Sequence, residues 1–262
     1  MKRVLFALGL ALAVLPACRG DAPPREGGRP RVRVAAAADL NAALGDVIAG
    51  FTASRNIDVS VSYGSSGTFY AQLINRAPFD LFLSADIAYP RQLAAQGVTV
   101  PGTEFTYATG RIVLWVPNAS AIDVSGGLPA LTSDRVAHIA IANPEHAPYG
   151  RAAVAALTHA GLYDRLKSKL VFGESVAQAM QFVSTGAADA GIVALSLAVA
   201  PGTKDKGRRF DIPVADYPPI EQGGVILQWA ADVEAARAFR AHLTGAQGQA
   251  VLKQYGFSIP GS

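Results

Sequence analysis

Short apolar strands alternate with helices over most of this 262-residue chain. Residues 31–38 form an apolar strand, and a helix with apolar residues at helical spacing follows it. Residues 57–63 alternate as a second strand, and the same unit recurs over residues 79–96 and 137–184. Repeated strand–helix–strand units form parallel sheets with helices on both faces. The element order therefore predicts an α/β fold, and its length suits two lobes of ~100–150 residues better than one sheet.

The N-terminus has the features of an export signal. Lys2 and Arg3 precede an apolar run over residues 4–15, which is shorter than the ~20 residues needed to span a bilayer. A basic start followed by a short apolar run is typical of a secretory signal peptide. We therefore expect residues 1–17 to be a signal peptide and the protein to be exported to the periplasm or cell envelope.

The residues after this run indicate how the mature protein begins. Ala17 precedes Cys18, the single cysteine of the chain, and a small residue before a cysteine resembles a bacterial lipoprotein signal. Lipidation of Cys18 would anchor the protein to a membrane, and ordinary cleavage near Ala17 is the alternative. Residues 18–30 are rich in Pro and Gly, which indicates a flexible tether. One cysteine also excludes an internal disulfide.

The charge of the chain argues against a polyanionic partner. Its formal charge is +3, from 23 basic and 20 acidic residues. Loss of Lys2 and Arg3 with the signal peptide lowers the formal charge to +1. A sequence pI of about 9.1 thus reflects a small imbalance among few charges. We expect no nucleic-acid partner.

Small polar residues stand where several strands lead into helices. In open α/β sheets ligands bind at the carboxyl ends of strands, and helix N-termini offer free N–H groups to anions. Glycines there let the backbone approach a ligand closely. Helix capping alone is the other interpretation of such residues. The junctions concerned are Ala38-Asp39, Gly64-Ser-Ser-Gly67, Pro148-Tyr-Gly150 and Glu174-Ser-Val176.

A family resemblance adds to this pattern. From about residue 31 to the C-terminus the chain resembles the periplasmic molybdate-binding proteins of ABC importers. This resemblance implies a class II periplasmic binding protein fold, in which two α/β lobes with parallel or mixed sheets are joined by a two-stranded hinge. Lobe I would comprise residues 31–112 and 215–262, and lobe II residues 113–214. The matching segments are Ala35-Ala-Ala-Ala-Asp-Leu40, Tyr63-Gly-Ser-Ser-Gly-Thr68, Ala77-Pro-Phe-Asp-Leu-Phe-Leu-Ser-Ala-Asp86, Asn143-Pro-Glu-His-Ala-Pro-Tyr-Gly150 and Gly191-Ile-Val193.

The resemblance also implies which residues hold the anion. Ser66 matches an oxyanion-binding serine, which would donate through its hydroxyl and N–H groups. Tyr149 and Val176 match positions that donate from lobe II, mainly through the backbone. Ser84 and Asp86 belong to the cleft architecture. Weaker candidates for anion contact are Ala38, Ser65, Gly67, Ser175 and Ser196.

Two positions depart from the family pattern. The family usually has serine where this chain has Asp39, and often tyrosine where it has Ala194. Tyr149 could supply the missing phenol. An ionised carboxylate beside a dianion is repelled in a site of low dielectric constant. Asp39 could turn away and cap its helix, accept a hydrogen bond from a protonated ligand, or be protonated itself and donate.

These observations together predict a binding protein. We expect it to capture a tetrahedral oxyanion, most simply molybdate or tungstate, and to deliver it as a monomer to the membrane permease of an ABC importer. Molybdenum would enter only as part of the anion, with no resident cofactor. A receptor for a protonated phosphate-like anion is the alternative.

An exported serine hydrolase using Ser66 is a further alternative, but the pattern is unfavourable. Thr68 stands where the last glycine of a Gly-x-Ser-x-Gly nucleophile elbow would be. The four histidines are not spaced as metal ligands along one helix. We therefore expect no enzymatic activity.

Overall fold

The computed structural model of the protein describes residues 29–259. The predicted signal peptide, Cys18 and nearly all of the predicted tether lie outside the described residues. Strands in this range are β1 (Arg31–Ala37), β2 (Asp58–Gly64), β3 (Leu81–Ser84), β4 (Phe105–Gly110), β5 (Ile112–Pro117), β6 (Ile139–Ala142), β7 (Leu170–Gly173), β8 (Ala190–Ala194), β9 (Gly207–Asp211) and β10 (Ile220–Ile226).

Helices connect most of these strands. They are α1 (Asn41–Ser54), α2 (Ser66–Ile74), α3 (Ala88–Ala95), α4 (Pro148–His159), α5 (Tyr163–Leu166), α6 (Val176–Ser184), α7 (Leu195–Ala198), α8 (Val233–Thr244) and α9 (Ala246–Gln254). A short 3-10 helix, Ala38–Leu40, joins β1 to α1. No helix among residues 29–259 is long and apolar enough to cross a membrane.

The strands form two five-stranded mixed sheets of the same design. The first sheet has the order β2-β1-β3-β10-β4, and the second has the order β7-β6-β8-β5-β9. In each sheet the strand in the fourth position, β10 or β5, runs antiparallel to both of its neighbours, and the other four strands run in one direction. The predicted two-lobed α/β class is therefore confirmed, with mixed rather than purely parallel sheets.

Apolar residues at helical spacing attach α1 to the first sheet. Ala43, Leu44, Val47 and Phe51 are buried and form one face of this helix. Phe51 meets Phe239 of α8 edge-on, with ring centroids 5.1 Å apart. This packing fixes the start of α1, and hence Asp39, at the carboxyl end of β1.

The chain passes between the sheets twice within the described residues. Arg111 alone separates β4 in the first sheet from β5 in the second. Residues 212–219 return the chain from β9 to β10. Two adjacent crossings of this kind allow lobes to rotate about a hinge. The first sheet holds the strands that the sequence assigns to lobe I, and the second holds those assigned to lobe II.

Candidate anion-binding cleft

A small cavity lies between the lobes where strand ends from both sheets meet. Segments that follow β1, β2 and β3 line it from lobe I, and segments that follow β6 and β7 line it from lobe II. Its free volume is ≈ 200 Å³ with the mouth included. The part of this space that can hold a water molecule is only ≈ 10 Å³, about the room of one water, so a tetrahedral anion fits here only if the lobes part slightly.

Ser66 supplies the best-placed side-chain donor of lobe I. It is the first residue of α2, is 1% exposed and lines the cavity. Its Oγ accepts a hydrogen bond of 2.9 Å from the N–H of Ala85. That contact fixes the oxygen and leaves the hydroxyl hydrogen for a ligand. Because the first N–H groups of a helix have no partner within it, the backbone at Ser66 can donate as well.

Ser65 and Gly67 instead hold the two lobes together. The Ser65 hydroxyl donates to the carbonyl oxygen of His146 in lobe II. The N–H of Gly67 donates to the same oxygen at 2.9 Å. A Cβ atom on Gly67 would lie 2.6 Å from this oxygen, so only glycine permits so close an approach. In this structure the Ser65 hydroxyl and the Gly67 N–H therefore form hydrogen bonds between the two lobes.

Tyr149 and Val176 occupy the first turns of α4 and α6. Both are buried and line the cavity from lobe II. Pro148 begins α4, which suits the first helical position because it has no N–H group to satisfy. Ser175 caps α6 by accepting a 3.4 Å hydrogen bond from the N–H of Gln178, and it does not line the cavity. The two helix N-termini thus aim backbone donors at the cavity from lobe II.

Asp39 is fully buried in the cavity wall and points across the cleft. Its Oδ2 accepts a 2.8 Å hydrogen bond from the Tyr149 hydroxyl and another from Gln222 Nε2 of lobe I. Ser196 of lobe II donates to the Asp39 carbonyl oxygen at 2.7 Å. The helix-capping interpretation of Asp39 is wrong, because its side chain caps neither the 3-10 helix nor α1.

The environment of Asp39 shifts its protonation equilibrium toward the neutral acid. Burial raises the pKa of its carboxyl group to about 6 from 3.8, although hydrogen bonds from Gln222 and Tyr149 oppose the shift. The nearby N–H groups of Asp39 and Leu40 also lower the pKa, but Oδ1 forms no well-aligned hydrogen bond among the described residues. Asp39 therefore titrates close to physiological pH.

Comparisons with known proteins place the chain in a family. A family model described as bacterial extracellular solute-binding protein matches residues 32–258. Over 259 residues the chain is 40% identical to the molybdate-binding protein ModA of Azotobacter vinelandii, covering 99% of this chain and 98% of that protein. The chain belongs to the ModA family. It is also 36% identical to ModA of Rhodobacter capsulatus over 252 residues, covering 96% and 93% of the two chains.

A solved structure supports the same placement. The periplasmic molybdate-binding protein of Azotobacter vinelandii superposes with a TM-score of 0.81 at 36% identity, covering 87% of this chain and 99% of that chain. ModA-family proteins are solute-binding proteins of ABC transporters and not enzymes. The serine hydrolase alternative is therefore excluded for this chain.

Around the cavity of this ModA-family protein, the cleft rim carries an ion pair between the lobes. Arg151 of α4 donates to Asp86, and Ser84 holds the Asp86 backbone through a 2.7 Å hydrogen bond to its carbonyl oxygen. A larger cavity of ≈ 650 Å³ adjoins this pair, but Ser66, Tyr149 and Val176 do not line it. Asp86 and Ser84 thus shape the rim, and we place the anion in the smaller cavity.

Gln222 of β10 belongs to the site but was not among the residues predicted from the sequence. β10 begins at Ile220, and Gln222 is fully buried in it. Gln222 stands between Glu221 and two glycines, so no local apolar pattern marks this side chain as buried.

Proposed function

We propose that this protein captures a tetrahedral oxyanion, molybdate or tungstate, between its lobes and delivers it to the permease of an ABC importer. The observation that carries this proposal is a small cavity between the lobes onto which the Ser66 hydroxyl and the N-termini of α2, α4 and α6 converge. Lys, Arg and His do not line the cavity. Its ModA relatives, named for molybdate binding, support the same ligand.

The geometry suggests how capture would work. The open protein presents half of the donors on each lobe. Closure brings Ser66 together with the backbone of Tyr149 and Val176, and it removes water from the anion, which strengthens each hydrogen bond. Oriented hydroxyl and N–H dipoles replace the hydration shell without a full positive charge. No resident cofactor is required, because molybdenum arrives within the anion.

The cellular setting follows from the family and the N-terminus. The protein is an exported component of a transport system, as its periplasmic relatives are. We further propose that it acts as a monomer anchored to the membrane by a lipid on Cys18, which the small residue before that cysteine supports.

A protonated phosphate-like anion is the second candidate ligand. The observation that favours it is the Asp39 carboxylate in the cavity wall, whose Oδ1 forms no well-aligned hydrogen bond among residues 29–259. An ionised Oδ1 could accept a hydrogen bond from a ligand hydroxyl, which molybdate and tungstate lack as dianions.

A thermal-shift panel tests the ligand class. Molybdate or tungstate at ~1,000-fold excess over its Kd should stabilise the protein by about 4 kcal/mol. For a chain of this size that raises Tm by roughly 10 °C. Sulfate and phosphate at equal concentrations are the comparison ligands. The proposed function fails if none of the tetrahedral anions raises Tm.

Replacing Ser66 with alanine should weaken anion binding. A lost donor to a buried charge costs about 1–3 kcal/mol, or roughly 5–150-fold in Kd. Isothermal titration calorimetry with molybdate measures the effect. Ser54→Ala is the matched control, because Ser54 lies exposed on α1 and bonds only to carbonyl oxygens of its own helix. An unchanged Kd for Ser66→Ala would remove this residue from the site.

A further inference from the structure

We propose that Asp39 binds the captured anion as a neutral carboxylic acid and donates its proton to an anion oxygen. Each anion bound above neutral pH would then bring one proton into the cleft. This inference rests on the proposed function and adds a specificity-determining residue to it. Asp39 would favour fully deprotonated oxyanions, which offer only acceptors, over ligands that present a hydroxyl group.

The hydrogen bonds around Asp39 leave one carboxyl oxygen for the ligand. Oδ2 is occupied by the Tyr149 hydroxyl and by Gln222 Nε2. The same Nε2 also donates to the Tyr149 oxygen at 3.1 Å, so both amide hydrogens of Gln222 are used. Oδ1 is buried, and no described residue donates to it with good geometry. Asp39 lines the cavity, so we place Oδ1 within reach of a bound anion, to which a proton on this oxygen would donate.

The groups that face Asp39 provide no compensating positive charge. Tyr149 and Tyr107 are both buried phenols, and burial raises the pKa of each well above its ordinary value, with the Asp39 charge adding to the shift. Neither phenol can neutralise the carboxylate. Among residues 29–259 no Lys, Arg or His forms an ion pair with Asp39. An ionised Asp39 beside an anion would therefore stand unpaired in a dry site.

The helices and strands packed around Asp39 likewise provide no positive charge that faces its carboxyl group. Helices α6 and α7, which pack against Ala38–Leu40, carry no titratable side chain. The charged groups on the other neighbouring elements face different partners or the surface. These are Asp46 with the Tyr255 hydroxyl, Arg151 with Asp86, Arg111 with Asp211, His146 with Glu174, His159 with Asp216, Tyr217 with the Ile112 N–H, and the partly or fully exposed Asp58, Tyr63 and Glu221.

The direction of the coupling follows from the unliganded protein. The raised pKa of Asp39, about 6, means that the carboxyl group is ionised at pH 8 before the anion arrives. A bound anion raises this pKa further by repulsion, and accepting the Oδ1 proton stabilises the neutral form. Binding at pH 8 therefore takes up nearly one proton from solvent, and the uptake falls through about one half near pH 6 toward none at lower pH.

Calorimetric titration with molybdate from pH 5.5 to 9 tests the proposal. We expect the Kd to be nearly constant below pH 6 and to rise toward tenfold per pH unit above it. Titrations at pH 8 in two buffers of different ionisation enthalpy should show one proton taken up per anion. Asp39→Asn keeps a neutral donor at this position, so its Kd should not vary with pH and should be lower than the wild-type value at pH 8.

Asp86→Asn is the matched control for Asp39→Asn. Asp86 is a carboxylate at the cleft rim that pairs with Arg151 across the lobes and does not line the anion cavity. This variant should keep the wild-type pH dependence and proton uptake.

The outcomes that overturn the proposal differ from failure of the proposed function. Wild-type protein that binds molybdate with no proton uptake at pH 8 would show that Asp39 stays ionised. Loss of all binding in Asp39→Asn, with wild-type protein preferring phosphate, would make Asp39 an acceptor from a protonated ligand. In contrast, the absence of any oxyanion binding at any pH would refute the proposed function itself.

Discussion

Gly67→Ala should abolish tight anion binding while leaving the two lobes folded. The new Cβ atom would lie 2.6 Å from the His146 carbonyl oxygen and 2.8 Å from the Tyr89 hydroxyl. The first of these is a backbone atom and cannot rotate away, so closure of the lobes would be obstructed. Overpacking of this kind costs about 3 kcal/mol, equivalent to ~150-fold in Kd. Calorimetric titration with molybdate measures the loss.

Two further measurements separate closure from folding. Gly45→Ala is the matched control, since a Cβ atom at Gly45 on α1 meets nothing within 4 Å. It should keep the wild-type Kd and raise stability by about 0.5–1 kcal/mol through a stiffer helix. Unliganded Gly67→Ala should melt within a few degrees of wild type. Wild-type affinity in Gly67→Ala would mean that the contact between Gly67 and His146 is not needed for anion binding.

Asp80→Ala should cause the largest loss of folding stability. The Asp80 carboxylate is fully buried and accepts hydrogen bonds from the Arg33 N–H at 2.7 Å, the Arg33 guanidinium at 2.7 and 3.0 Å, and the Ala231 N–H at 2.9 Å. Its removal leaves these donors without their acceptor. The Arg33 side chain is 37% exposed, so water can solvate its guanidinium after the change. We therefore expect a cost at the lower end of the range for broken buried pairs, about 3 kcal/mol, which lowers Tm by roughly 6–12 °C.

The pH dependence gives a second test of Asp80. Burial raises the pKa of Asp80, but hydrogen bonds from Arg33 and Ala231 and the charge of Arg33 outweigh it and hold the pKa below 3.8. Its stabilisation is therefore complete above that value and is lost as pH falls below it. The Tm difference from wild type should persist at pH 7 and shrink near pH 3.

Glu104→Ala is the surface control for Asp80→Ala. Glu104 pairs with Arg91 at 3.1 Å, but the two side chains are 35% and 60% exposed. Exposed pairs contribute at most about 1 kcal/mol, so this variant should melt close to wild type. Equal effects of the two substitutions would contradict the role given to Asp80.

The alternation of strands and helices made most of the fold predictable. Apolar runs located β1, β2 and the buried strands of lobe II, and small polar residues marked the helix starts that line the cavity. The strand β4 (Phe105–Gly110) was not predicted, because half of its residues are polar or glycine. Gly223 and Gly224 interrupt the apolar pattern of the last strand, although both lie inside β10, where a Cβ atom would clash with β4 or β3.

Sequence patterns could not predict the contacts that cross the cleft between the lobes. The partner of Asp39 is Tyr149, 110 residues away, and nothing local distinguishes a capping aspartate from one that faces another lobe. Ser65 was likewise expected to contact an anion, yet in the structure its hydroxyl holds His146. Such roles depend on how the two sheets meet, which local periodicity does not encode.

The position of β10 has a consequence for the order in which the lobes can assemble. This strand lies between β3 and β4, pairing Gly223 with Ser84 across 139 positions of the sequence. The second sheet uses only the contiguous residues 112–211. During synthesis lobe II can complete its sheet as soon as residues 112–211 are free to fold. The sheet of lobe I, in contrast, lacks the strand between β3 and β4 until β10 has been made. An exported chain is therefore expected to form its hinge and anion cavity only after its C-terminal portion has arrived.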